Sequence, residues 1–286
     1  MKYFDLHADV AYRCLKENLA FDDVALNVTA QKAAAFDEWH QCFPVFINDG
    51  TDKPFEYYKK AVAFLKNEFK TKAQNLTPIL TVEGGLLVED ALNRIEIMHN
   101  DGIRATTLTY NAANQIAGGA FSDGDFNVVG KDVIKELNRY GIMLDLAHIN
   151  KKSYYPALEL ADRPLITHTC FEYVNKHCRN VDDDQIKALV DKKGIFGLCY
   201  YPLFLGEGDT LENIYKSVYH ILELGFEDYL SMGSDFDGCD LDERLSDISQ
   251  VPSLYEYLNS RNINKEILDK IFFYNAYNFF NNKGEL

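Results

Sequence analysis

A pair of side chains near the amino terminus is suited to binding a metal ion. His7 and Asp9 lie two positions apart in the segment Phe4-Asp-Leu-His-Ala-Asp-Val10. On a β-strand, positions two apart share one face, and imidazole nitrogens and carboxylate oxygens both bind zinc-like ions. An isolated His-x-Asp is equally compatible with a partly buried histidine beside a surface aspartate. Its meaning therefore depends on the residues at the ends of the other strands.

Apolar segments of strand length alternate with amphipathic segments of helix length along the chain. The former are continuous apolar or β-branched runs, as in parallel strands buried on both faces. The predicted strands span residues 2–8, 43–48, 77–82, 103–109, 142–147, 164–168, 194–200 and 229–234. The predicted helices span residues 54–71, 86–100, 130–140, 151–161, 183–192, 210–224 and 264–282. Residues 10–42 form a long connection, expected to be partly helical and anchored by Phe21, Phe36 and Trp39.

This alternation predicts an α/β fold, a (β/α)8 TIM barrel. Eight strands interleaved with helices fit the chain length of 286 residues, and a single barrel domain is expected over residues 1–286. A doubly wound open sheet is the alternative, but it usually has fewer strands and a glycine-rich phosphate loop after the first one. Here the first strand is followed by Ala8-Asp-Val-Ala-Tyr-Arg-Cys14, which contains no glycine.

Ionisable side chains recur at the carboxyl ends of the predicted strands, where TIM-barrel active sites lie. Beyond His7 and Asp9, these strand-end residues are Glu83, Tyr110, His148, His168 and Asp235. The imidazoles and carboxylates form a ligand set for two divalent ions, and Glu83 is the natural bridge between them. Singly, Glu83 could begin a loop, Asp235 could be a turn residue and His148 a core histidine, but the joint pattern favours a metal centre. Three of the four other histidines, at positions 40, 99 and 220, are assigned to helices or loops outside this pattern.

Composition excludes several classes of partner. The formal net charge of −15 disfavours nucleic acid and anionic membranes as main partners. Because no secretory signal and no apolar run of about 18 residues is present, we expect a soluble, cytoplasmic protein. Six scattered cysteines without a Cys-x-x-Cys pair predict free thiols rather than disulfides or a zinc ribbon.

Short motifs that include these residues resemble the renal (membrane) dipeptidase family of zinc peptidases, part of the metal-dependent amidohydrolase group. They occur in the family's order and cover most of the predicted domain. The matching segments are Asp5-Leu-His-Ala-Asp9, Val82-Glu-Gly-Gly85, Thr107-Leu-Thr109, Val133-Ile-Lys-Glu-Leu-Asn138, Leu144-Asp-Leu-Ala-His148, Thr167-His-Thr169, Cys178-Arg-Asn-Val-Asp-Asp183 and Gly233-Ser-Asp-Phe-Asp-Gly238.

The resemblance implies a role for each matching residue. His7 and Asp9 would hold one zinc ion with Asp235 at or beside it, His148 and His168 would hold a second, and Glu83 would bridge both. Other divalent ions are compatible with this set. Arg179 would bind the C-terminal carboxylate of a dipeptide substrate, a role that suits a guanidinium group. Asp235 would transfer a proton, and dimers are frequent in the family, which leaves a homodimer open.

Tyr110 is the main departure from the family's pattern. Well-known members have a histidine there, which polarises the scissile carbonyl or stabilises the oxyanion, and a phenol can also donate a hydrogen bond. The expected function is a zinc-dependent dipeptidase. Alternatives are a barrel hydrolase acting on another amide, a lactone or an ester, and a metal-binding homologue without activity. The retained Asp235 favours catalysis, and Glu83, rather than the bridging carboxylated lysine of several other barrel hydrolases, favours the dipeptidase.

Overall fold

The computed structural model describes residues 1–71 and 74–281. Within these residues eight parallel strands follow one another around a closed barrel, and β1 pairs with β8 to complete it. This confirms the predicted (β/α)8 TIM barrel. The strands are β1 (Lys2–Asp5), β2 (Glu38–Phe46), β3 (Leu76–Glu83), β4 (Ile103–Thr107), β5 (Met143–Asp145), β6 (Pro164–Thr169), β7 (Ile195–Leu198) and β8 (Leu230–Met232).

Helices cover the outside of the barrel and close one of its ends. They are α1 (Val10–Glu17), α2 (Pro54–Glu68), α3 (Arg94–Asp101), α4 (Val128–Tyr140), α5 (Lys151–Leu160), α6 (Asp183–Asp191), α7 (Pro202–Leu205), α8 (Thr210–Glu223), α9 (Val251–Ser260), α10 (Lys265–Asp269) and α11 (Asn275–Asn281). A π-helical turn, Lys270–Tyr274, joins the last two. Among the described residues no helix is both long and apolar enough to cross a bilayer.

The second strand begins earlier than its sequence pattern indicates. Trp39 and His40, assigned to a connection, lie in β2, which pairs from Glu38 with β1 and from Trp39 with β3. The prediction was wrong because polar His40 and Gln41 interrupt the apolar run, although both are buried within the barrel. The connection before β2 contains α1, as expected of a partly helical segment.

The helices differ from the prediction in three ways. The helix predicted over 86–100 is restricted to Arg94–Asp101, because a short 3-10 turn (Gly85–Leu87) and a further turn follow the glycine pair after β3. The segment 264–282 is divided by the π-helical turn, and its last residue lies outside the described residues. Helices α7 and α9 follow β7 and β8 and were not predicted.

The amino-terminal end of the barrel is closed by the carboxyl-terminal helix. Interior residues of all strands but β8 form a buried cluster with Phe273, Phe279 and Phe280. The Phe280 ring packs 5.2 Å from that of Phe4, between centroids. Guanidinium groups of Arg104 and Arg163 donate hydrogen bonds to the last carbonyls of α11, at Phe280 and Phe279. These cations satisfy carbonyls that a helix end leaves without partners.

Replacing Phe280 with alanine tests this closure. Phe280 is 3% exposed, so Phe280→Ala is expected to lower the free energy of unfolding by about 3–5 kcal/mol through lost burial and a residual cavity. Val128→Ala, at a position 71% exposed, serves as the control and should change it by no more than about 0.5 kcal/mol. Urea unfolding measures both, and equal effects of the two substitutions would contradict the assignment of Phe280 to the core.

Candidate metal centre

The predicted ligands meet at the carboxyl-terminal end of the barrel, just beyond the strand ends. Strands β1 and β8 were predicted to be longer: β1 ends at Asp5 before His7, and β8 ends at Met232 before Asp235. His148 and Asp235 have left-handed backbone conformations, with φ of 64° and 65°. Such a conformation is costly for residues other than glycine and cannot continue a strand. Both residues therefore turn the chain where their side chains enter the site.

Glu83 lies between two histidines and contacts each with a different oxygen. Its Oε2 is 3.2 Å from His7 Nε2, and its Oε1 is 2.8 Å from His148 Nε2. All three side chains are buried. A carboxylate oriented in this way can bridge two cations.

The other predicted ligands complete the cluster around these residues. His7 Nε2 lies 3.4 Å from Asp9 Oδ2 and 3.9 Å from Asp235 Oδ1. On the other side of Glu83, His148 Nε2 lies 2.9 Å from His168 Nε2. His168 also belongs with His7 and Asp235 in a group whose ligand atoms lie within 4.8 Å of one another. The geometry thus brings all six residues together without dividing them into two exclusive sets.

Neighbouring side chains indicate the tautomer of the paired histidines. Asn111 Oδ1 lies 3.0 Å from His148 Nδ1, which must carry the proton since an amide oxygen only accepts. The Thr167 hydroxyl donates to Asp145 Oδ2 (2.6 Å), so its oxygen accepts from His168 Nδ1 (3.0 Å). Neutral rings with these tautomers direct bare Nε2 lone pairs at each other.

The donor set fits divalent cations for two reasons. The facing Nε2 atoms of His148 and His168 repel unless a proton or a cation lies between them. In addition, the buried carboxylate atoms Asp9 Oδ1 and Glu83 Oε2 have no hydrogen-bond partner among the described residues. Buried polar atoms are normally satisfied, so these oxygens indicate ligand positions. The residues therefore fit the divalent cations that the sequence predicts.

Burial and crowding shift the pKa values of these groups in opposite directions. Burial raises the pKa of Asp9 to about 6 and that of Asp235 to about 7, and the nearby carboxylates add to both shifts. Burial also lowers the pKa of His148 to about 4, with Arg179 contributing. Burial alone would raise the pKa of Glu83, but the charges of His7 and His148 together hold this pKa below its ordinary value. Asp235 is thus the carboxyl group suited to exchanging a proton near neutral pH.

Two similar hydrogen-bonded units support the ligands from below. Asp145 accepts from the Thr167 hydroxyl and backbone amide across β5 and β6, at 2.6 and 3.0 Å. Asp5 accepts from the Ser234 hydroxyl and backbone amide, at 2.6 and 2.9 Å, and joins β1 to the end of β8. Thr167 and Ser234 immediately precede His168 and Asp235 in the chain. Each unit therefore fixes the backbone that carries a ligand.

Sequence reasoning missed these supporting residues. A signal was present in the repeated order Asp-Leu-His at Asp5 and Asp-Leu-Ala-His at Asp145, together with a hydroxyl residue before a later ligand. Gly238 was also missed as a packing constraint: a Cβ there would lie 2.3 Å from Asp9 Oδ2 and 2.5 Å from Asp235 Oδ1. Only glycine leaves room for these two carboxylates at that point.

A cavity of about 770 Å³ opens above the ligands and contains the other predicted site residues. Arg179 is 4% exposed, forms no salt bridge with any described residue, and its Nε has no hydrogen-bond partner among them. An unpaired buried guanidinium is a strong candidate site for an anion. Tyr110 also lines the cavity, with its ring 4.8 Å from Phe46 and 4.7 Å from His148, between centroids.

Replacing Thr167 tests whether the Asp145 unit orients His168. Thr167→Val keeps the shape of the side chain but removes the hydroxyl, and we expect zinc affinity to fall about 10–100-fold, as for other partners of metal-ligating histidines. Thr167→Ser restores the hydroxyl and should recover most of the affinity. Competition with a chromogenic chelator measures binding without reference to activity. Equal affinity of the valine and serine variants would contradict this orienting role.

Comparisons with known proteins agree with this fold. The closed barrel has the same fold as a solved dipeptidase of peptidase family M19, with a TM-score of 0.89, 19% identity and 98% of both chains covered. It also matches a metallopeptidase from Rhodobacter sphaeroides bound to a phosphinate mimic of the dipeptide L-Ala-D-Ala, with a TM-score of 0.82, 18% identity and 98% of both chains covered. At these identities the likeness shows the fold.

The sequence comparison is more specific. A dipeptidase of Claviceps purpurea is 30% identical over 203 residues, which cover 68% of this chain and 48% of that protein. The chain spans about half the length of the fungal relatives that it matches. The sequence model of the family described as membrane dipeptidase, peptidase family M19, matches residues 48–283. Since this match includes most of the barrel, the chain belongs to the membrane dipeptidase family.

Proposed function

We propose that this protein is a zinc-dependent dipeptidase that hydrolyses the peptide bond of dipeptides at a binuclear metal centre. The observation that carries the proposal is the position of Glu83, whose two oxygens face His7 and His148 at 3.2 and 2.8 Å, below a cavity that also holds the unpaired cation Arg179. A ligand cluster and an anion site in one cavity suit a small substrate with a free carboxylate. The dipeptidases among its relatives support the same substrate class.

His7, Asp9, Glu83, His148, His168 and Asp235 would hold the ions. Two bound zinc ions would supply a lowered pKa for water and polarisation of the scissile carbonyl. The protein contributes the proton acceptor. Asp235 lies among the ligands, and its raised pKa of about 7, caused mainly by burial, suits a group that takes a proton from the attacking water and passes it to the leaving amine.

Tyr110 would stabilise the negative charge that develops on the carbonyl oxygen. It lies beside His148 and lines the cavity. Burial raises the pKa of the Tyr110 phenol, and nearby carboxylates add to this, so the hydroxyl stays protonated and can donate a hydrogen bond. A phenol thus supplies the donor that a histidine supplies in well-known members of the family.

Arg179 would fix the substrate through its C-terminal carboxylate. Its guanidinium group donates a weak hydrogen bond to the His168 carbonyl (3.4 Å), which leaves further N–H groups for a ligand. A carboxylate bound there would place the adjacent peptide bond toward the ligand cluster, since Arg179 and the ligands line the same cavity. Position and charge would together select dipeptides over longer peptides and over uncharged amides.

A metal-binding protein without catalytic activity is the main competing function. Asp235 argues against it, because a pKa raised to about 7 suits a proton acceptor as well as an ion ligand. A lactone or ester substrate would leave the buried charge of Arg179 without a partner. Both observations favour the dipeptidase.

Zinc loading and dipeptide hydrolysis are expected to be lost together in His148→Ala. His148 contacts Glu83 and His168, so its replacement would remove one ligand of one ion. It would also remove a contact that orients Glu83, the proposed bridging carboxylate. We expect a lower zinc-to-protein ratio by mass spectrometry of metals and a decrease in kcat/KM of at least about 1,000-fold. His99→Ala, at an exposed position in α3, is the matched control and should leave both unchanged. Full dipeptidase activity of His148→Ala would refute the assigned metal site.

Substrate amidation combined with Arg179→Met tests the carboxylate site. For Ala-Phe, the variant is expected to lose about 100-fold or more in kcat/KM because a buried charge pair is broken. For Ala-Phe amide, which lacks the carboxylate, wild type and variant should be similarly slow. Arg139→Met, with an exposed arginine, controls for lost charge on the surface. If the wild type hydrolysed the amide as fast as the free dipeptide, Arg179 would not bind the carboxylate.

A further inference from the structure

Two large apolar side chains are exposed at the mouth of the cavity. Phe121 and Leu203 are 61% and 57% exposed, and both line the cavity that contains Arg179. Single exposed apolar residues are ordinary on protein surfaces. These two differ because Tyr201 and Phe204 line the same cavity, and we call the four residues the apolar rim.

The apolar rim is held in place by ring contacts and by side-chain hydrogen bonds. The rings of Phe121 and Phe204 both pack on His177, with centroids 6.1 and 4.8 Å away, and Tyr201 packs on Phe204 at 4.9 Å. Behind them, the amide of Asn175 donates to the Leu203 carbonyl (3.0 Å), and that of Asn180 donates to the Phe204 carbonyl (2.8 Å). These bonds attach α7 to the segment after β6. The rim is therefore a preformed surface, which lowers the entropic cost of binding.

Arg179 connects the rim to the proposed substrate. Its guanidinium carbon lies 5.3 Å from the centroid of the Phe204 ring, and its backbone N–H donates to His177 Nδ1 (3.2 Å). In a dipeptide the C-terminal side chain and the carboxylate share one Cα atom. A carboxylate held by Arg179 therefore brings that side chain next to the rim.

The charged part of the cavity wall comes from other elements. Arg13, Lys16 and Glu17 on α1, and Asp237 and Asp240 after β8, line the cavity there, and Arg13 pairs with Asp237 at 2.8 Å. The rim residues come instead from the loop after β4 and from the segment after β7. The two ends of a dipeptide substrate would thus contact different parts of the cavity wall. The apolar part of the wall lies beside Arg179, the proposed carboxylate site.

We infer that the C-terminal residue of the preferred dipeptide substrate has a large apolar side chain, which packs against the apolar rim. This specificity rests on the proposed dipeptidase function. An apolar group there removes the exposed surface of Phe121 and Leu203 from water, whereas an acidic or small side chain does not.

The experiment compares Ala-Phe, Ala-Leu, Ala-Ala and Ala-Glu as substrates of the zinc-supplied protein, with L- and D-residues at the C-terminal position. In the preferred stereochemical series, we expect kcat/KM for Ala-Phe and Ala-Leu to exceed that for Ala-Ala and Ala-Glu by about tenfold or more. This factor is at the low end of the range for discrimination by apolar pockets, because the mouth of the cavity is open. Equal values across the panel would overturn the inference while leaving the dipeptidase function intact. Hydrolysis of none of these dipeptides would overturn both.

Variants of the rim give a second, independent measurement. In the double variant Phe121→Ala and Leu203→Ala, the ratio of kcat/KM for Ala-Phe to that for Ala-Ala should fall toward one. Both side chains are exposed, so folding should be retained, and thermal unfolding checks this. Leu160→Ala, an exposed leucine on α5, is the matched control and should keep the wild-type ratio. An unchanged ratio in the double variant would overturn the inference, as would the same decrease in the control.

Discussion

Desolvation of charged groups at one end of the barrel is the constraint on which the rest of this structure depends. Glu83, Asp9 and Asp235 are buried within a few ångströms of three imidazoles. Removing such groups from water costs several kcal/mol for each ion unless partners compensate. His7 and His148 partly compensate Glu83, but Glu83 Oε2 and Asp9 Oδ1 both lack a hydrogen-bond partner among the described residues. Divalent cations would complete this compensation.

Hydrogen bonds between neighbouring strand ends hold the backbone beneath this cluster. The Asp5–Ser234 and Asp145–Thr167 units lie directly beneath the ligands and connect neighbouring strands. Left-handed conformations at His148 and Asp235 turn the chain immediately after these units. Backbone strain of this kind persists only where the surroundings over-determine it, and here the closed barrel supplies that support.

The opposite, amino-terminal end of the barrel contributes mainly to the stability of the fold. A mainly apolar cluster fills it, with the His40 ring packed against Phe4 and Phe273. Helix α11 closes it with aromatic rings and with carbonyls that accept hydrogen bonds from Arg104 and Arg163. The buried charged groups, which are costly to desolvate, are thus separated from the cluster that closes the core. This division lets loops at the carboxyl-terminal end, such as the one with Phe121 and the segment with Leu203, shape a cavity without contributing to the barrel's closure.

The sequence alone predicted the barrel, which the structure confirms, and a set of candidate ligands, because buried parallel strands leave continuous apolar runs and because metal ligation requires particular side chains. All six predicted ligands converge in the structure. Sequence patterns placed boundaries less well: buried polar residues such as His40 and Gln41 concealed the start of β2, and a left-handed residue can end a strand without any change in composition.

Only the tertiary structure decided which residues surround the ligands. Asp145 and Thr167 are 22 positions apart, and Asp5 and Ser234 are separated by 229, so their contacts follow from barrel closure rather than from local pattern. The same closure leaves Arg179 buried without a carboxylate partner among the described residues and places Leu203 and Phe121 around one cavity. The sequence determines the chemical type of each side chain, but long-range packing determines which other side chains it contacts.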